Sequence, residues 1–226
     1  MIKNIQLAWI SDLLAKTGIR FWVDSGTLLG LVREGKLMEG DPDIDLGIWS
    51  EDEPLLQQVI PLARRKGYKT MVRRYRGVPY KYKLIPGDPS SDSVIDINIF
   101  RRFNESAWCP LVYPKANRFA QNNPLHYIYG STRFAVNYIF NRKNNVSVNR
   151  WPWTLICRIY VWLIPREFFE DIVLLSSGLP APNDYEKYLH FRYGNWKVAN
   201  KGWDFYHEDG GIKKISPQAF MKAEEK

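Results

Sequence analysis

The stretch Glu39-Gly40-Asp41-Pro42-Asp43-Ile44-Asp45-Leu46-Gly47-Ile48 alternates acidic and apolar residues with a period of two. Successive side chains of a strand point to opposite faces, so Asp43 and Asp45 emerge together while Ile44, Leu46 and Ile48 pack behind them. Two neighbouring carboxylates repel, and one is driven toward protonation unless a cation neutralises the pair. All-oxygen ligands suit a hard ion: Mg²⁺ takes one or two protein carboxylates and completes its shell with water and substrate phosphates, and Mn²⁺ accepts the same donors. The stretch therefore predicts a strand at the edge of a metal site that handles a phosphorylated substrate.

Working outward, Ser93-Val94-Ile95-Asp96-Ile97-Asn98-Ile99-Phe100 repeats the pattern, with three isoleucines on one face and Asp96 on the other. Placed beside the first strand, it makes Asp96 a third carboxylate. Three such groups suit two metals about 3.5 to 4 Å apart, an arrangement that clamps the attacking and leaving oxygens of phosphoryl transfer. Upstream, Ile19-Arg20-Phe21-Trp22-Val23 reads as a strand, and Asp24-Ser25-Gly26-Thr27-Leu28-Leu29-Gly30 as a turn that opens a helix. Amides at a helix start, close approach at Gly26 and the hydroxyls of Ser25 and Thr27 form an anion site, with Arg33 further along the helix. Between the acidic strands lie Lys81 and Lys83, which share a strand face and can meet donor phosphates or simply solvate an edge. An EF-hand is the rival for Asp41, Asp43 and Asp45, but its sixth and twelfth positions hold Leu46 and Asp52 where Gly and Glu are needed.

These residues carry a family resemblance. Phe21 to Gly35, with its Asp-Ser-Gly-Thr-Leu-Leu-Gly turn, followed by Asp41-Pro42-Asp43-Ile44-Asp45-Leu46-Gly47, resembles the signature of the LicD and fukutin-type phosphotransferases. Near the other end, Leu179 to Leu189 and Tyr193-Gly194-Asn195-Trp196 are similar to that family's closing motif. Pro42 stands where the family has Asp. The resemblance implies an α/β (α+β) nucleotidyltransferase-like fold: a mixed sheet flanked by helices, with a helical C-terminal part. It implies Mg²⁺ (or Mn²⁺) on Asp43, Asp45 and Asp96, and donor phosphates on Ser25, Gly26 and Thr27. The implied reaction moves a phosphoalcohol, such as phosphocholine or ribitol phosphate, from a CDP-linked donor to a sugar hydroxyl of a glycan or glycolipid, with Asp96 accepting the hydroxyl's proton. The same carboxylates would serve a nucleotidyltransferase that places an NMP on its acceptor. A reading of another class is a non-catalytic basic module that binds RNA or a membrane surface, although no RNA-binding motif is present.

Composition agrees with a folded enzyme. The chain has 226 residues, 45% of them hydrophobic and nine of them Trp, enough for a sizeable core. Its net charge of +8 favours polyanionic partners or a membrane surface. Cys109 and Cys157 lack metal or redox spacing, which argues against zinc and thiol chemistry. Residues 1–104 read as the catalytic core and 105–226 as an acceptor-side and helical region packed on it. Met1 to Lys16 reads as an amphipathic helix, not a leader, which places the protein in the cytoplasm. Residues 151–165, rich in Trp and flanked by Arg, are either a buried core helix or a segment resting on the inner face of a membrane. The Lys-rich stretch after Gly202 reads as a frayed tail.

Overall fold

The structure, a computed structural model, describes residues 4–39, 41, 43–88, 93–114, 145–147, 157–200 and 202–224. Helix α1 (Ile5–Lys16) opens on Asn4, whose side chain accepts the Leu7 N–H at 2.8 Å, and stops before Gly18 in the left-handed region. Its Leu7, Ile10 and Leu14 are fully buried. Strand β1 (Phe21–Val23), helix α2 (Ser25–Arg33) and strand β2 (Asp43–Trp49) follow. A 3-10 turn, Ser50–Leu55, leads into α3 (Leu56–Arg65). Pro54 lies in that turn and Pro61 within α3, where Leu56, Val59 and Ala63 face the core.

Strands β3 (Lys69–Tyr75) and β4 (Val78–Ile85) form a hairpin, and β5 (Val94–Phe103) and β6 (Ser106–Pro114) form a second. They are followed by β7 (Asn145–Ser147), β8 (Cys157–Pro165), β9 (Ile172–Leu174), β10 (Pro180–Pro182) and β11 (Ile212–Lys213). The described residues build a nine-stranded mixed sheet in the order β11-β8-β6-β5-β4-β3-β7, with β2 pairing parallel to β5 and β1 antiparallel to β2. A short helix, Tyr185–Tyr193, packs over the start of α2 through Tyr188 and Arg192. This is the α/β fold expected, a mixed sheet with helices, and the sheet crosses residue 104 without a break because β5 continues into β6.

Trp22 sits near the centre of the core. Its ring stacks on Phe169 at 4.5 Å and meets Trp49 and Phe100 edge-on or tilted at 5.5 and 5.6 Å. Gly47, opposite Trp22 across the β1–β2 pair, makes room: a Cβ there would stand 2.3 Å from the indole.

Two expectations are corrected. Residues 157–165 are not a helix but β8, paired along its length with β6; residues 151–156 lie outside the described residues. Beyond Arg158 the run is apolar because both faces are covered: Trp162 and Ile164 join the main core, and Val161 a second cluster with Trp108 and Phe220. The described stretch after Gly202, residues 203–224, is not frayed. It supplies β11, the buried Asp209, and a terminal helix whose Phe220 stacks on Trp108 at 5.3 Å. Among the described residues no helix is long and apolar enough to cross a membrane.

Candidate active site

The parallel pairing of β2 with β5 sets the site. Asp45 and Asp96 are direct register partners, so both carboxylates leave the same face of the sheet, with Asp43 two residues along β2. Ile44, Leu46 and Ile48 are fully buried on the opposite face. A strand through Asp43 and Asp45 also removes the EF-hand alternative.

Strand β4 brings Lys81 and Lys83 against Asp96 from the other side. Lys81 Nζ lies 2.7 Å from Asp96 Oδ2, and Lys83 Nζ 3.1 Å from Oδ1. Burial would raise the Asp96 pKa, but the two ammonium groups outweigh it and hold the carboxyl below its ordinary range. Lys81 is shifted the other way: desolvation opposes its charge, yet Asp96 and Asp45 keep it protonated and raise its pKa.

Among the described residues no ammonium group stands at contact distance from the carboxylates of β2, and they behave differently. Asp45 is pushed up to about 8 by burial, and Asp96, Asp24 and Asp43 add to the rise against Lys81. Asp43 is raised by desolvation and then by Asp96 and Asp41, with Lys83 and Lys81 opposing. Asp41, raised by burial, stands beside Gly26. Among the described residues no three His, Cys, Asp or Glu side chains are gathered as a metal-ligand group, and both Asp96 oxygens face lysines. Asp43 and Asp45 nonetheless suit one hard cation, being two carboxylates on one strand face whose mutual repulsion a bound cation would relieve.

Helix α2 forms the adjoining wall. Asp24 caps it, accepting the Ser25 N–H at 2.7 Å. Ser25 lies in the left-handed region at φ +48°, a conformation that costs a non-glycine residue about 1 to 3 kcal/mol. Gly26 brings its backbone to the cleft, where a Cβ would fall 2.4 Å from Asp41 Oδ2. Thr27 is buried, and its hydroxyl accepts the Asp45 N–H at 2.8 Å. The Asp45 carbonyl in turn accepts the Asp24 N–H at 3.0 Å. The first turn of α2 thus grips Asp45 on both sides of its Cα, and Thr27 acts through that grip. Arg33 ends the helix, pairs with Glu34 at 2.7 Å and points Nη1 at the Trp196 carbonyl, 3.4 Å away.

These walls enclose a cleft of about 780 Å³. Ser25, Gly26, Arg33, Asp43, Asp45, Lys81, Lys83 and Asp96 all line it; Thr27 lies behind the wall. The lining also includes the aromatic residues Trp162, Tyr193, Trp196, Trp203 and Phe205, with Asn195 and Asn200. The charged side chains can hold a diphosphate, and the aromatic and amide ones a neutral, hydroxylated group.

Sequence reasoning missed a buried cluster behind the turn. Asp24, Tyr188, Arg192 and Asp209 are each at most 5% exposed. An Asp immediately before a Ser-Gly-Thr helix start is a recognisable cap signal. Arg192, in a helix of mixed polarity, carries no such mark.

The sequence model of the LicD/FKTN/FKRP nucleotidyltransferase domain matches residues 18–141. Ribitol 5-phosphate transferase FKRP of Mus musculus is 41% identical over 205 residues, 85% of this chain and 31% of that protein, and the Homo sapiens protein matches over the same extent. Uncharacterized protein RP689 of Rickettsia prowazekii (strain Madrid E) is 44% identical over 63 residues, 28% of this chain and 24% of that protein. The chain thus spans less than a third of the length of these curated relatives. Among solved structures, the lincomycin-bound lincosamide antibiotic adenylyltransferase LnuA aligns with a TM-score of 0.43 at 15% identity, covering 83% of this chain and 85% of that one.

Proposed function

The chain belongs to the LicD/FKTN/FKRP nucleotidyltransferase-domain family, and from that premise we propose that it is a metal-dependent transferase of phosphoalcohols. Its donor is a CDP-linked alcohol of the ribitol phosphate or phosphocholine kind, and its acceptor a sugar hydroxyl of a glycan or glycolipid. The observation that carries the proposal is the registered trio of Asp43, Asp45 and Asp96 beside Lys81 and Lys83, facing the start of α2 across one cleft.

Asp43 and Asp45 would hold Mg²⁺ or Mn²⁺. When bound, that ion supplies charge neutralisation to the donor diphosphate. Ser25 and Gly26 meet phosphate oxygens at the helix start, where amides and the helix dipole favour an anion. Arg33, Lys81 and Lys83 add positive charge around the same group. The acceptor hydroxyl attacks the phosphorus that bears the alcohol; the bond from that phosphorus to the oxygen of the CMP phosphate breaks, CMP leaves with that oxygen, and the hydroxyl's proton passes to the departing phosphate or to solvent. Such a transition state is loose and asks more for positioning and charge than for a strong base.

Asp96 suits a supporting role better than that of a base. Its pKa is held low and both its oxygens face lysines, so it orders Lys81 and Lys83 and is a poor proton acceptor. As a donor complex forms, the lysines can turn to phosphate and leave Asp96 free to face the metal.

The test is product analysis with CDP-ribitol, Mg²⁺ and a saccharide acceptor. CMP released in step with ribitol phosphate appearing on the acceptor is the expected result. Pyrophosphate released from CTP or UTP, with the NMP left on the acceptor, would assign the protein to nucleotidyl transfer instead. Salt-sensitive RNA or anionic-vesicle binding without metal binding would place it among non-catalytic modules.

A further inference from the structure

Ser25 is held in a region of backbone space that glycine occupies readily and serine does not. Such a residue persists only where its surroundings over-determine it. Two contacts do so here. Asp24 Oδ1 accepts the Ser25 N–H at 2.7 Å, and Arg192 Nη2 reaches Ser25 Oγ at 3.4 Å.

Arg192 comes from the far end of the chain and is fully buried. Asp209 clamps it from behind: Nε donates to Oδ1 and Oδ2 at 2.8 and 2.9 Å, and Nη2 to Oδ2 at 2.6 Å. On the other side Nη1 donates to the Tyr188 hydroxyl at 2.7 Å, and that hydroxyl donates to Asp24 Oδ1. Asp24 Oδ1 also lies 3.5 Å from Nη1. Asp24 is bonded through its N–H to the Asp45 carbonyl. One guanidinium therefore touches the strained residue directly and reaches the carboxylate strand through Tyr188 and Asp24.

Buried charge clusters of this kind are poor stabilisers, since apolar residues of the same volume often serve as well. Their value lies in geometry, and the planar fork of arginine fixes several partners at once where lysine fixes one. We propose that Arg192 is a positioning residue for the transfer reaction. It locks the Ser25–Gly26 turn in its donor-phosphate-binding conformation and ties that turn, through Asp209, to the C-terminal segment. The inference rests on the assignment of this turn to donor phosphates made above.

The experiment compares wild type, Arg192→Lys and Tyr188→Phe, each first shown to be folded by circular dichroism. Two readouts follow: kinetics with CDP-ribitol and Mg²⁺, and amide hydrogen exchange over residues 24–33. The expected result for Arg192→Lys is a loss of about tenfold to a hundredfold in kcat/KM, with faster exchange at residues 25–27 and unchanged exchange in α1. In a Ser25→Gly background the further loss from Arg192→Lys should shrink, because glycine needs no help to hold this conformation. A purely structural arginine would lower the melting temperature and leave kinetics and turn exchange of the folded protein as in wild type; that outcome overturns the inference, as does an undiminished loss in the glycine background. If Arg192→Lys fails to fold, Tyr188→Phe keeps the Arg192–Asp209 pair and carries the same test. If wild type itself neither binds nor turns over any CDP-alcohol, the functional reading fails, and turn exchange alone decides the positioning role.

Discussion

Burial first, and then Asp96 across the strand pair, Asp24 behind it and Asp43 along its own strand, push up the Asp45 carboxyl against Lys81 and shape the site's pH behaviour. Its folded-state pKa is raised to about 8 from 3.8. A raised carboxyl favours the protonated form on folding, so the contribution is full below about pH 4 and is lost as pH rises through about 8. The metal-free protein should therefore melt at lower temperature at pH 8 than at pH 5.5, and Mg²⁺ should stabilise it more at the higher pH, where no proton has to be displaced. Melting curves with EDTA or Mg²⁺ at both pH values check this. Asp45→Asn should flatten the pH dependence and raise metal-free stability at pH 8 by about 1 to 2 kcal/mol, the lower range allowing for partial exposure. The same variant should lose turnover by roughly a hundredfold or more at saturating Mg²⁺, since it removes a ligand and its charge together. Lys81→Met should weaken both fold and donor affinity, costing about 2 kcal/mol in urea unfolding, because the buried Asp96 would keep only one of its two counter-charges.

At the scale of elements, the β2–β5 pair and the first turn of α2 form one unit. Gly47 shows how closely the unit is fitted: Gly47→Ala would drive a methyl into the Trp22 indole and should destabilise by about 2 kcal/mol, measured by chemical denaturation. Much of this unit was legible in the sequence, because alternation on a half-buried strand and a capped glycine turn both leave local marks. Asp43, Asp45 and Asp96 could be placed on strands for that reason, and Lys81 and Lys83 on one face of another. Which strands pair is a long-range fact without a local mark, so the approach of both lysines to Asp96 was not readable. Thr27 shows the same limit. Its hydroxyl looked free for phosphate in the sequence, whereas the fold turns it toward the Asp45 backbone. The apolar run at 157–165 was misread because a strand covered on both faces has no alternation to separate it from a buried helix.

Over the whole molecule, the C-terminal segment belongs to the core. Phe220 fills the face of β6 and β8 opposite the main core, and Asp209 closes the buried pair with Arg192 behind the cleft. Charge content made this stretch look like a tail; its apolar residues, Trp203, Phe205, Ile212, Phe220 and Met221 among them, carry the packing. Phe220→Ala should cost about 3 kcal/mol in denaturant unfolding while leaving the Mg²⁺ dependence of turnover intact, because the ring packs in the second cluster with Trp108 and Val161 and does not line the cleft. The cleft is lined by charged residues from the first half of the chain and by aromatic residues largely from the second. The most direct test of a metal-dependent, CDP-alcohol-using site is a calorimetric titration of CDP-ribitol with and without Mg²⁺, into wild type and into Asp43→Asn/Asp45→Asn. The account predicts Mg²⁺-dependent binding that the double variant loses; binding that is indifferent to Mg²⁺ and to both carboxylates would contradict it.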